Sequence, residues 1–565
     1  MSGTWHALNN QPKFNVSTML LLTDGTVMCQ ESGARAWWRL SPGPGGGYLD
    51  GAWAALAPMH HSRLYYASAV LADGRVFVAG GEYSDAGSET TTAEIYDPKS
   101  NSWMEIAAPA GWNRIGDAPC TVLPDGRVLV GQIDDARTAI YDAVANTWTP
   151  AANKGDASSE ESWVLMPDGT ILVAQCSAHP GTEKYLISAN NWMPTGQTPS
   201  DLVEGASIEI GPGVLLPDGR ALFIGATPHT ALYTPGPAAN AAGTWAPGPA
   251  IPHDPAGRVC GAKDAPACLT VGGHVLLTVG PVDGVSGDYL GPTYFYEFDG
   301  KSLVKVPDAP NAGQVPFVGR MLLLPTGDIL YAAGTPALYA YSPTDPFQDT
   351  WRPEILTAPA GLYAGLSYTL SGRQLNGLSQ AVGYGDDASA ATNYPLVRLR
   401  SKAGQVRYCE TFGHSTMGVG TGTAVHTTNF LVPSSTPPGS YELTVIANGI
   451  PSKGLDILVE ALVLPFGWDR LWAWLIGSLA DGPLWAIGPN GPVPVDPMGA
   501  EIRAQVRAAR VAILDNIKVL EKIGKQVDKQ RLKAARAAKP VTDPEFDAFV
   551  KKHKKSKSKS AAKVH

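Results

Sequence analysis

The chain has 565 residues, too many for a single hydrophobic core, so its length predicts two or three domains. Its 62 glycines and 47 prolines occur together with 44% hydrophobic residues, a balance that excludes a disordered chain and indicates a turn-rich β protein. The formal net charge of −8 combines an acidic body with a basic segment over residues 501–565.

The cysteines and the N-terminal sequence bear on the cellular compartment. The six cysteines are sparse, and no pair has the spacing of metal ligands: Cys29, Cys120, Cys176, Cys260, Cys268 and Cys409. Several fall in apolar strand patterns, where a free cysteine packs as a small hydrophobic residue. The N-terminal sequence MSGTWHALNNQP has neither a basic start nor an apolar run and predicts no signal peptide. We therefore expect a cytoplasmic protein with reduced thiols, with export by another route as the alternative.

The first predicted element is a strand at Trp5–Leu8 that has no partner in the neighbouring sequence. A ring of repeated sheets, described next, often closes when one terminus completes its last sheet. We expect this strand to complete the seventh sheet, which leaves Trp351–Leu356 free to lead into the next domain. In the alternative, Trp351 fills that place and Trp5 lies on a peripheral strand.

Residues Arg63–Trp103 form the clearest structural unit of the sequence. Turn residues divide it into four predicted strands: Ala67–Leu71, Arg75–Ala79, Glu94–Tyr96 and one that begins at Trp103. The pair Asp73-Gly74 predicts a tight turn, and Gly80-Gly81 ends the second strand. Glycine suits the pair Gly80-Gly81 because, without a side chain, it lets the backbone turn and lets neighbouring sheets approach closely.

The same unit recurs along the chain with a period of roughly 50 residues. The turn pair recurs at Asp24-Gly25, Asp73-Gly74, Asp125-Gly126, Asp168-Gly169 and Asp218-Gly219, with degenerate forms at Gly272-Gly273 and Thr326-Gly327. The third-strand tyrosine recurs at Tyr96, Tyr141, Tyr185, Tyr233, Tyr296 and Tyr341. The fourth-strand tryptophan recurs at Trp53, Trp103, Trp148, Trp192, Trp245 and Trp351, with Leu303 in its place once. Seven four-stranded copies predict an all-β fold, a seven-bladed β-propeller over residues 1–357.

The order of turn pair, glycine pair, tyrosine and tryptophan resembles the kelch repeat, which implies the same propeller fold. From about Pro359 the period is lost, and strands follow at sandwich spacing: Leu366–Gly372, Leu396–Arg400, Val406–Cys409, Asn429–Val432 and Tyr441–Ala447. We expect an immunoglobulin-like (E-set) β-sandwich over residues 358–460. A kelch propeller followed by such a sandwich resembles galactose oxidase and its bacterial relatives. The stretches Tyr384–Leu399 and His414–Gly422 also resemble those of bacterial kelch proteins with this layout.

Three further segments complete the chain. Residues 461–499 form a connector rich in tryptophan, glycine and proline, predicted as a short helix and coil. Its longest uncharged run, Leu471–Ala480, is about half as long as a membrane span needs, and an interfacial membrane contact is the alternative. Residues 500–539 predict an amphipathic helix that packs on the body or on a second copy of the chain. Residues 540–565 predict a basic disordered tail, with a solvating or docking role favoured over contacts with nucleic acid.

Candidate site residues follow from the turn pairs. In a propeller, the residues just before the innermost strand of each blade surround one mouth of the central channel. Eight residues before the turn pairs stand Val16, Tyr65, Asp117, Glu160, Ile210, Asp264 and Val318, with Glu161 and Glu209 as immediate neighbours. This ring of carboxylates predicts a site for a glycan, a polar small molecule, a protein segment or a cation. Calcium is the candidate cation, with Asp117, Glu161 and Asp264 as candidate ligands. In the alternative, these acids accept hydrogen bonds from backbone amides or meet Arg320.

The resemblance to galactose oxidase implies a different chemistry, which can be checked residue by residue. That family holds copper with two tyrosines and two histidines, and one of the tyrosines is cross-linked to a cysteine. Tyr65 matches the cross-linked tyrosine, but Val16 stands at the position of the cysteine. Phe317 and Val318 stand where the family has tyrosine and histidine, and His414 matches the last histidine. The departures imply that copper radical oxidation is absent, and a copper site rebuilt from Tyr65, His414 and carboxylates is a minor alternative.

The glycine-flanked loop around His414 is predicted to place this histidine at the mouth, facing the carboxylates. In the alternative, His414 is a hydrogen-bonded residue of the domain interface, and Asp386 and Asp387 are expected to be turn or interface residues. We predict a binding or interaction protein with a carboxylate-rich mouth and no transmembrane span. The alternative is an enzyme that uses the same mouth, either a hydrolase with paired carboxylates such as Glu160 and Glu161 or a degenerate metal oxidase.

Overall fold

The computed structural model describes residues 3–85, 87–159, 161–384, 390–461, 485–488 and 491–494. The chain divides into two compact units: Met1–Leu362 with Ser367–Val459, and Tyr363–Leu366 with Glu460–His565. In the first unit, seven antiparallel sheets form the blades, six of them four-stranded and one six-stranded, and one further, curled sheet follows them. No helix of the described residues is long and apolar enough to cross a membrane.

The first four blades follow β1 (Thr4–Ala7) in the chain. Blade one comprises β2 (Val16–Leu21), β3 (Val27–Glu31), β4 (Trp37–Ser41) and β5 (Ala52–Ala55). Blade two comprises β6 (Ala67–Val70), β7 (Val76–Ala79), an extra hairpin of β8 (Glu82–Ser84) and β9 (Gly87–Glu89), β10 (Ala93–Asp97) and β11 (Ser102–Ile106). Blade three comprises β12 (Cys120–Val122), β13 (Val128–Gln132), β14 (Asp135–Asp142) and β15 (Thr147–Pro150). Blade four comprises β16 (Trp163–Leu165), β17 (Ile171–Ala174), β18 (Gly181–Leu186) and β19 (Asn191–Gln197).

The remaining three blades complete the ring. Blade five comprises β20 (Gly213–Leu215), β21 (Ala221–Ile224), β22 (Thr230–Thr234) and β23 (Thr244–Pro247). Blade six comprises the short β24 (Cys260–Gly261), β25 (Ala267–Leu269), β26 (Val275–Pro281), β27 (Tyr294–Phe298) and β28 (Leu303–Lys305). Blade seven comprises β29 (Gly319–Leu323), β30 (Ile329–Ala333), β31 (Tyr339–Ser342) and, from the N-terminus, β1. The innermost strands of neighbouring blades contact one another in a closed ring around the channel.

The repeated turn pair has the local chemistry that its sequence predicts. In blade two, Asp73 accepts a hydrogen bond from the backbone N–H of Arg75 (3.1 Å), and Gly74 has a φ of 86°. The other Asp-Gly pairs repeat both features, because an aspartate side chain can bond the backbone two residues on and glycine tolerates a positive φ.

The repeated tyrosine and tryptophan lie directly opposite each other on the two outer strands of a blade. In blade two, Tyr96 pairs with Trp103 in register, and their ring centroids are 5.1 Å apart. The same arrangement recurs in blades three, four and five. Such aromatic cross-strand pairs stabilise each sheet where its outer strand would otherwise be weakly held.

The N-terminal strand closes the ring, as predicted. β1 pairs antiparallel with β31, with Trp5 opposite Tyr341, and the Trp5 ring also packs against Phe295 at a centroid distance of 5.0 Å. The chain after blade seven enters the second sheet instead, where Glu354–Thr357 pairs with Ser367–Arg373. The alternative in which Trp351 fills the outer position is therefore excluded.

The second domain is confirmed as all-β. Its strands are β32 (Glu354–Thr357), β33 (Leu362–Tyr363), β34 (Ser367–Arg373), β35 (Val382–Gly383), β36 (Leu396–Ser401), β37 (Val406–Phe412), β38 (His426–Leu431), β39 (Gly439–Ala447), β40 (Ile450–Pro451) and β41 (Leu455–Glu460). They pair in the order β32-β34-β38-β37-β36-β39-β41. β37 pairs with β36 through its first half and with β38 through its second half, so one continuous sheet curls around the core of this domain. The finer assignment as an immunoglobulin-like sandwich stays a prediction.

Several predictions fall on residues outside the described ranges. These are the site candidate Glu160, the pair Asp386 and Asp387, the helix over residues 500–539 and the basic tail over residues 540–565. Of the connector, the structure describes one antiparallel hairpin, β42 (Trp485–Gly488) with β43 (Gly491–Pro494). The exact domain boundaries likewise stay predictions. All six cysteines are buried, in agreement with the packing role predicted for several of them.

Candidate functional site

The site lies at the end of the channel where the innermost strands begin, which we call the mouth. Tyr65 precedes β6, Glu209 precedes β20, Asp264 precedes β25 and Phe317 precedes β29. The opposite end of the channel carries the Asp-Gly turns. The curled sheet packs there, because the backbone amides of Thr411, Gly413 and Met417 donate to carbonyl oxygens next to the turns of blades one, two and three.

Two of the predicted carboxylates converge on one hydroxyl group. The hydroxyl of Tyr289, in the loop between β26 and β27, lies within hydrogen-bond distance of Glu209 Oε1 and 2.9 Å from Asp264 Oδ2. Burial and the two carboxylates raise the pKa of Tyr289 well above its ordinary value, so the phenol keeps its proton. A phenol has only one proton, so Tyr289 can donate it fully to only one of the two carboxylates at a time.

Aromatic rings extend from this group across the mouth. The ring of Phe317 lies 4.6 Å from that of Tyr289 and 6.4 Å from that of Tyr65, measured between centroids. The ring of Tyr83, on β8, packs edge-on against Tyr65 at 6.3 Å and is largely exposed. The ε-amino group of Lys263 lies over the ring of Tyr289 at 4.2 Å. The carboxylates therefore stand beside a cluster of mutually inclined aromatic rings with a basic group close by.

Arg320 joins the mouth to the second domain. Its guanidinium lies 5.5 Å from the ring centroid of Tyr65 and 4.0 Å from that of Tyr384. Its Nη1 donates to the carbonyl oxygens of Phe317 and Gly319, both at 2.8 Å, and the hydroxyl of Tyr384 donates to the same Phe317 oxygen. The arrangement places a fixed positive charge against two aromatic faces.

Tyr384 belongs to a segment of the second domain that enters the channel. We call residues 374–384 and 390–395, between β34 and β36, the channel insert. Within it, β35 pairs with the innermost strand of blade six. Gln380 accepts a hydrogen bond from the backbone amide of Leu165 (3.0 Å) and donates one to Thr121 Oγ1 (2.9 Å), so it bridges blades three and four. The channel insert thus fills the channel and supplies Tyr384 to the mouth.

Four non-glycine residues around the mouth have a strained backbone conformation. Tyr65, Tyr83, Ile208 and Asp264 all have φ values between 45° and 61°, a region that residues other than glycine seldom occupy. Ile208 is the least suited of the four because its side chain is β-branched, and it directly precedes Glu209. Strain of this kind persists only where the surrounding structure enforces it, and it is common at functional sites.

Glu161 has a different environment from the one predicted. Its carboxylate meets the ammonium group of Lys154 (2.9 Å) and accepts a hydrogen bond from Trp163 Nε1 (2.8 Å). The same ammonium group contacts Asp156 at 2.8 Å and Glu183 at 3.0 Å, and all four side chains are buried. The structure therefore brings Glu161 into a buried ion cluster, which we call the Lys154 cluster. Glu161 thus meets a basic side chain, as the alternative interpretation proposed, but that side chain belongs to Lys154 and not to Arg320.

Asp117 precedes β12 at the same end of the channel and is buried. Among the described residues, Asp117, Glu161 and Asp264 do not form a group whose ligand atoms are close enough to share one metal ion. The predicted set of calcium ligands is thus not brought together in the described part of the chain.

His414 lies at the opposite end of the channel from Tyr65. Its backbone N–H donates to the carbonyl oxygen of Ala72 (3.2 Å), beyond the end of β6, whereas Tyr65 precedes the start of β6. Seven residues of extended chain separate these points by about 20 Å. The imidazole bonds Thr428 Oγ1 through Nδ1 (2.9 Å) and stacks on Tyr394, and burial lowers its pKa to about 4. His414 thus occupies the domain interface, as the alternative interpretation proposed.

The copper set of the resembled family does not fit these positions. Phe317 and Val318 have no side-chain atom that can ligate a metal, and His414 is at the far end of the channel. The channel insert, not the His414 loop, is the part of the second domain that reaches the mouth. The described residues of the mouth therefore do not reproduce the copper ligands of that family.

Sequence reasoning missed Tyr289, Tyr384 as a mouth residue, and the Lys154 cluster. Tyr289 lies in a long loop between the second and third strands of blade six, away from the turn pairs, tyrosines and tryptophans that mark the repeat, so the repeat gives no signal for it. Tyr384 begins the stretch Tyr384–Leu399, whose sequence signal is its resemblance to bacterial kelch proteins with this layout. Lys154 precedes its blade by several residues, outside the ring of aligned positions.

The comparisons with known proteins agree with this architecture. Residues 63–109 match the family model described as the Kelch motif. The chain carries a kelch motif within a seven-bladed propeller. This confirms the kelch resemblance, and the propeller followed by a second β domain is the layout that the resemblance to galactose oxidase implied.

Three solved structures are similar to this kelch chain. A fungal alcohol oxidase of the AA5 family, in complex with copper, has 15% identity and a TM-score of 0.47, covering 82% of this chain and 100% of that chain. Virginiamycin B lyase from Staphylococcus aureus has 11% identity and a TM-score of 0.41, covering 60% of this chain and 99% of that chain. The protein YjhT has 14% identity and a TM-score of 0.36, covering 52% and 98%. At these identities the likeness concerns the fold alone.

Proposed function

We propose that this kelch chain is a binding or interaction protein that takes a hydrogen-bond-donating group of its ligand at the mouth. The supporting observation is the convergence of Glu209 and Asp264 on the single hydroxyl of Tyr289. An ammonium, guanidinium or hydroxyl group of a ligand can donate to these carboxylates, and bonds to charged acceptors are the stronger kind. The adjacent aromatic rings add apolar contact area, and a cation would also be attracted to their faces.

The ligand we propose is a protein segment that presents a basic or hydroxylated side chain. Tyr83 on β8 and the loop residues Ile208 and Val285 are exposed apolar residues at this end of the propeller. These residues offer apolar contacts to a peptide while one of its side chains meets the polar groups of the mouth. A glycan is the competing ligand, because aromatic rings and carboxylates also suit a surface of hydroxyl groups. Glu161 is held by Lys154, which disfavours a hydrolase that uses this carboxyl group. The hydrolase alternative stays a prediction.

Peptide and glycan binding can be measured in parallel on the purified full chain. The probes are an immobilised library of peptides centred on lysine, arginine or serine, and an array of neutral glycans. For a bound peptide, we expect Glu209→Gln and Asp264→Asn each to weaken binding roughly 10- to 100-fold, the loss expected for a charge-assisted hydrogen bond. The matched control is Glu354→Gln, an exposed carboxylate on β32, which should bind as the wild type does.

The outcomes separate the parts of the proposal. Binding to glycans alone, with the same sensitivity to both variants, would retain the mouth and replace the ligand class. Unchanged binding in variants whose unfolding curves match the wild type would overturn the mouth as the binding site. Lower stability with unchanged binding would show that Glu209 and Asp264 serve the fold.

A further inference from the structure

A second group of ligand-forming side chains lies away from the mouth, where blade six meets the chain that leaves blade seven. His274 follows the Gly272-Gly273 turn at the start of β26, and Glu297 lies on β27 of the same blade. Asp345 lies in the segment that follows β31 of blade seven. Three different stretches of chain therefore contribute one side chain each.

The three side chains direct their ligand atoms toward one point. His274 Nδ1 is 3.1 Å from Glu297 Oε2 and 3.5 Å from Asp345 Oδ2, and one ligand atom from each residue lies within 4.8 Å of the others. With metal–ligand bonds of about 2.1 Å, the ligand atoms of a tetrahedral ion are about 3.4 Å apart. The two separations from His274 bracket that value, so an ion could replace the Nδ1 proton with little movement.

The surroundings hold the ligands in place and leave the group accessible. The other carboxylate oxygen of Glu297 accepts a hydrogen bond from the hydroxyl of Tyr341 (2.6 Å), which fixes the carboxylate as an outer-shell partner of a metal ligand does. A Cβ added to Gly272 would lie 2.7 Å from Asp345 Cβ, so glycine there lets the Asp345 segment pack onto the turn that carries His274. The side chain of Asp345 is 41% exposed and that of His274 is 25% exposed, which leaves a path from solvent.

We propose that His274, Glu297 and Asp345 form a binding site for a divalent transition-metal ion of the Zn²⁺ class, with water in the fourth position. One imidazole nitrogen and two carboxylate oxygens suit Zn²⁺, whereas Ca²⁺ requires six to eight oxygen ligands. The ion would join blade six to the chain leaving blade seven, beside the strand β31 with which β1 closes the ring. An ion bound only by the folded state stabilises that state, and this site does not depend on the function of the mouth.

Zinc binding to the full chain, free of any tag and treated with chelator, tests the site by titration calorimetry and by thermal unfolding. We expect one Zn²⁺ per chain that is lost in His274→Gln and in Asp345→Asn, with a rise in the unfolding midpoint on adding ZnCl₂ in the wild type only. CaCl₂ should neither bind nor shift the midpoint. Asp345→Asn is the milder change because its position is partly exposed, so it keeps the test valid if His274→Gln folds poorly.

The matched control is His61→Gln. His61 also lies between two carboxylates, but its Nδ1 faces Asp85 (3.5 Å) while its Nε2 faces Glu105 (3.0 Å), so the acids stand at different edges of the ring. They cannot share an ion with one nitrogen, and zinc binding should match the wild type. The absence of zinc binding by the folded wild type would overturn the proposal and leave an ordinary ion pair. Zinc binding that persists in both site variants would overturn it as well.

Discussion

In the Lys154 cluster, three carboxyl groups share one ammonium group. Burial raises the pKa of Glu161 to about 8, although Lys154 acts against this, so Glu161 keeps its proton at neutral pH. Burial by itself would lower the pKa of Lys154, but Glu161, Asp156 and Glu183 outweigh it and raise that pKa overall. A neutral Glu161 beside a charged Lys154 is therefore the state in which this buried pair is stable.

This charge state predicts a pH dependence of stability. The pKa of Glu161 is higher in the folded protein than in the unfolded chain, so the folded state binds more protons between these values. Stability from this group is fully present below pH 4.5 and is lost as the pH rises through about 8. We expect Glu161→Gln, which cannot ionise, to gain on the order of 4 kcal/mol relative to the wild type between about pH 5 and about pH 9. Urea unfolding at several pH values measures this difference.

A control for Glu161→Gln is available on the surface. Glu354→Gln, in an exposed pair with Arg373, should show a nearly constant difference from the wild type over the same range. A constant difference for Glu161→Gln as well would mean that the buried carboxyl group ionises freely, contrary to the environment described here.

A mouth residue could be predicted from the sequence when it lies at a fixed distance from a repeated turn pair. Tyr65, Glu209 and Asp264 were placed at one end of the channel because each lies at a fixed distance from its turn pair. Tyr289 cannot be found in this way, since it lies in a long loop that none of the repeated residues marks. His414 was assigned to the mouth because the sequence does not show which loop of the second domain enters the channel, and the structure shows that the channel insert does.

Among the elements, the short blade strands were predictable because their signals are local. The Asp-Gly turns and the tyrosine–tryptophan pairs act between residues close in sequence, so the strands of each blade can be predicted from that blade's own sequence. The second domain lacks such a repeat. Its curled sheet depends on β37 pairing with two different strands, and pairing between distant strands leaves no periodic mark in the sequence.

Ring closure by β1 leads to a prediction at this scale. Deleting residues 1–12 removes the outer strand of blade seven, exposes the edge of β31 and leaves the aromatic contacts of Trp5 unfilled. We expect the unfolding midpoint of the whole propeller to fall in one cooperative step, and Trp5→Ala alone to cost roughly 3 kcal/mol, within the range for large aromatic truncations. Calorimetry and urea unfolding measure the two effects.

The matched control for ring closure lies on the same strand. His6 is exposed, so His6→Ala should change the free energy of unfolding by no more than about 0.5 kcal/mol. An unchanged midpoint after deletion of residues 1–12 would contradict the closing role of β1. A second transition confined to blade seven would contradict the cooperativity.

For the whole molecule, the propeller and the curled sheet belong to one compact unit. Backbone hydrogen bonds join the curled sheet to the turns of blades one to three, and the channel insert bonds the innermost strands of blades three, four and six. Separating the two parts would break these hydrogen bonds and expose the groups that form them to water. The two domains recognised in the sequence are therefore expected to unfold together.

Gln380 tests this coupling because it lies inside the channel and belongs to the second domain in sequence. Gln380→Ala removes the acceptor of the Leu165 amide and the donor to Thr121 Oγ1, both in buried surroundings. Two lost hydrogen bonds with buried groups left unpaired should cost about 2–4 kcal/mol. Because the domains are coupled, we expect one calorimetric transition at a lower midpoint, with hydrogen exchange faster in both domains.

Gln405→Ala, at an exposed turn between β36 and β37, should leave the midpoint unchanged. Two separate transitions in the wild type, or faster exchange confined to one domain in Gln380→Ala, would show instead that the channel insert fills the channel without joining the domains into one folding unit.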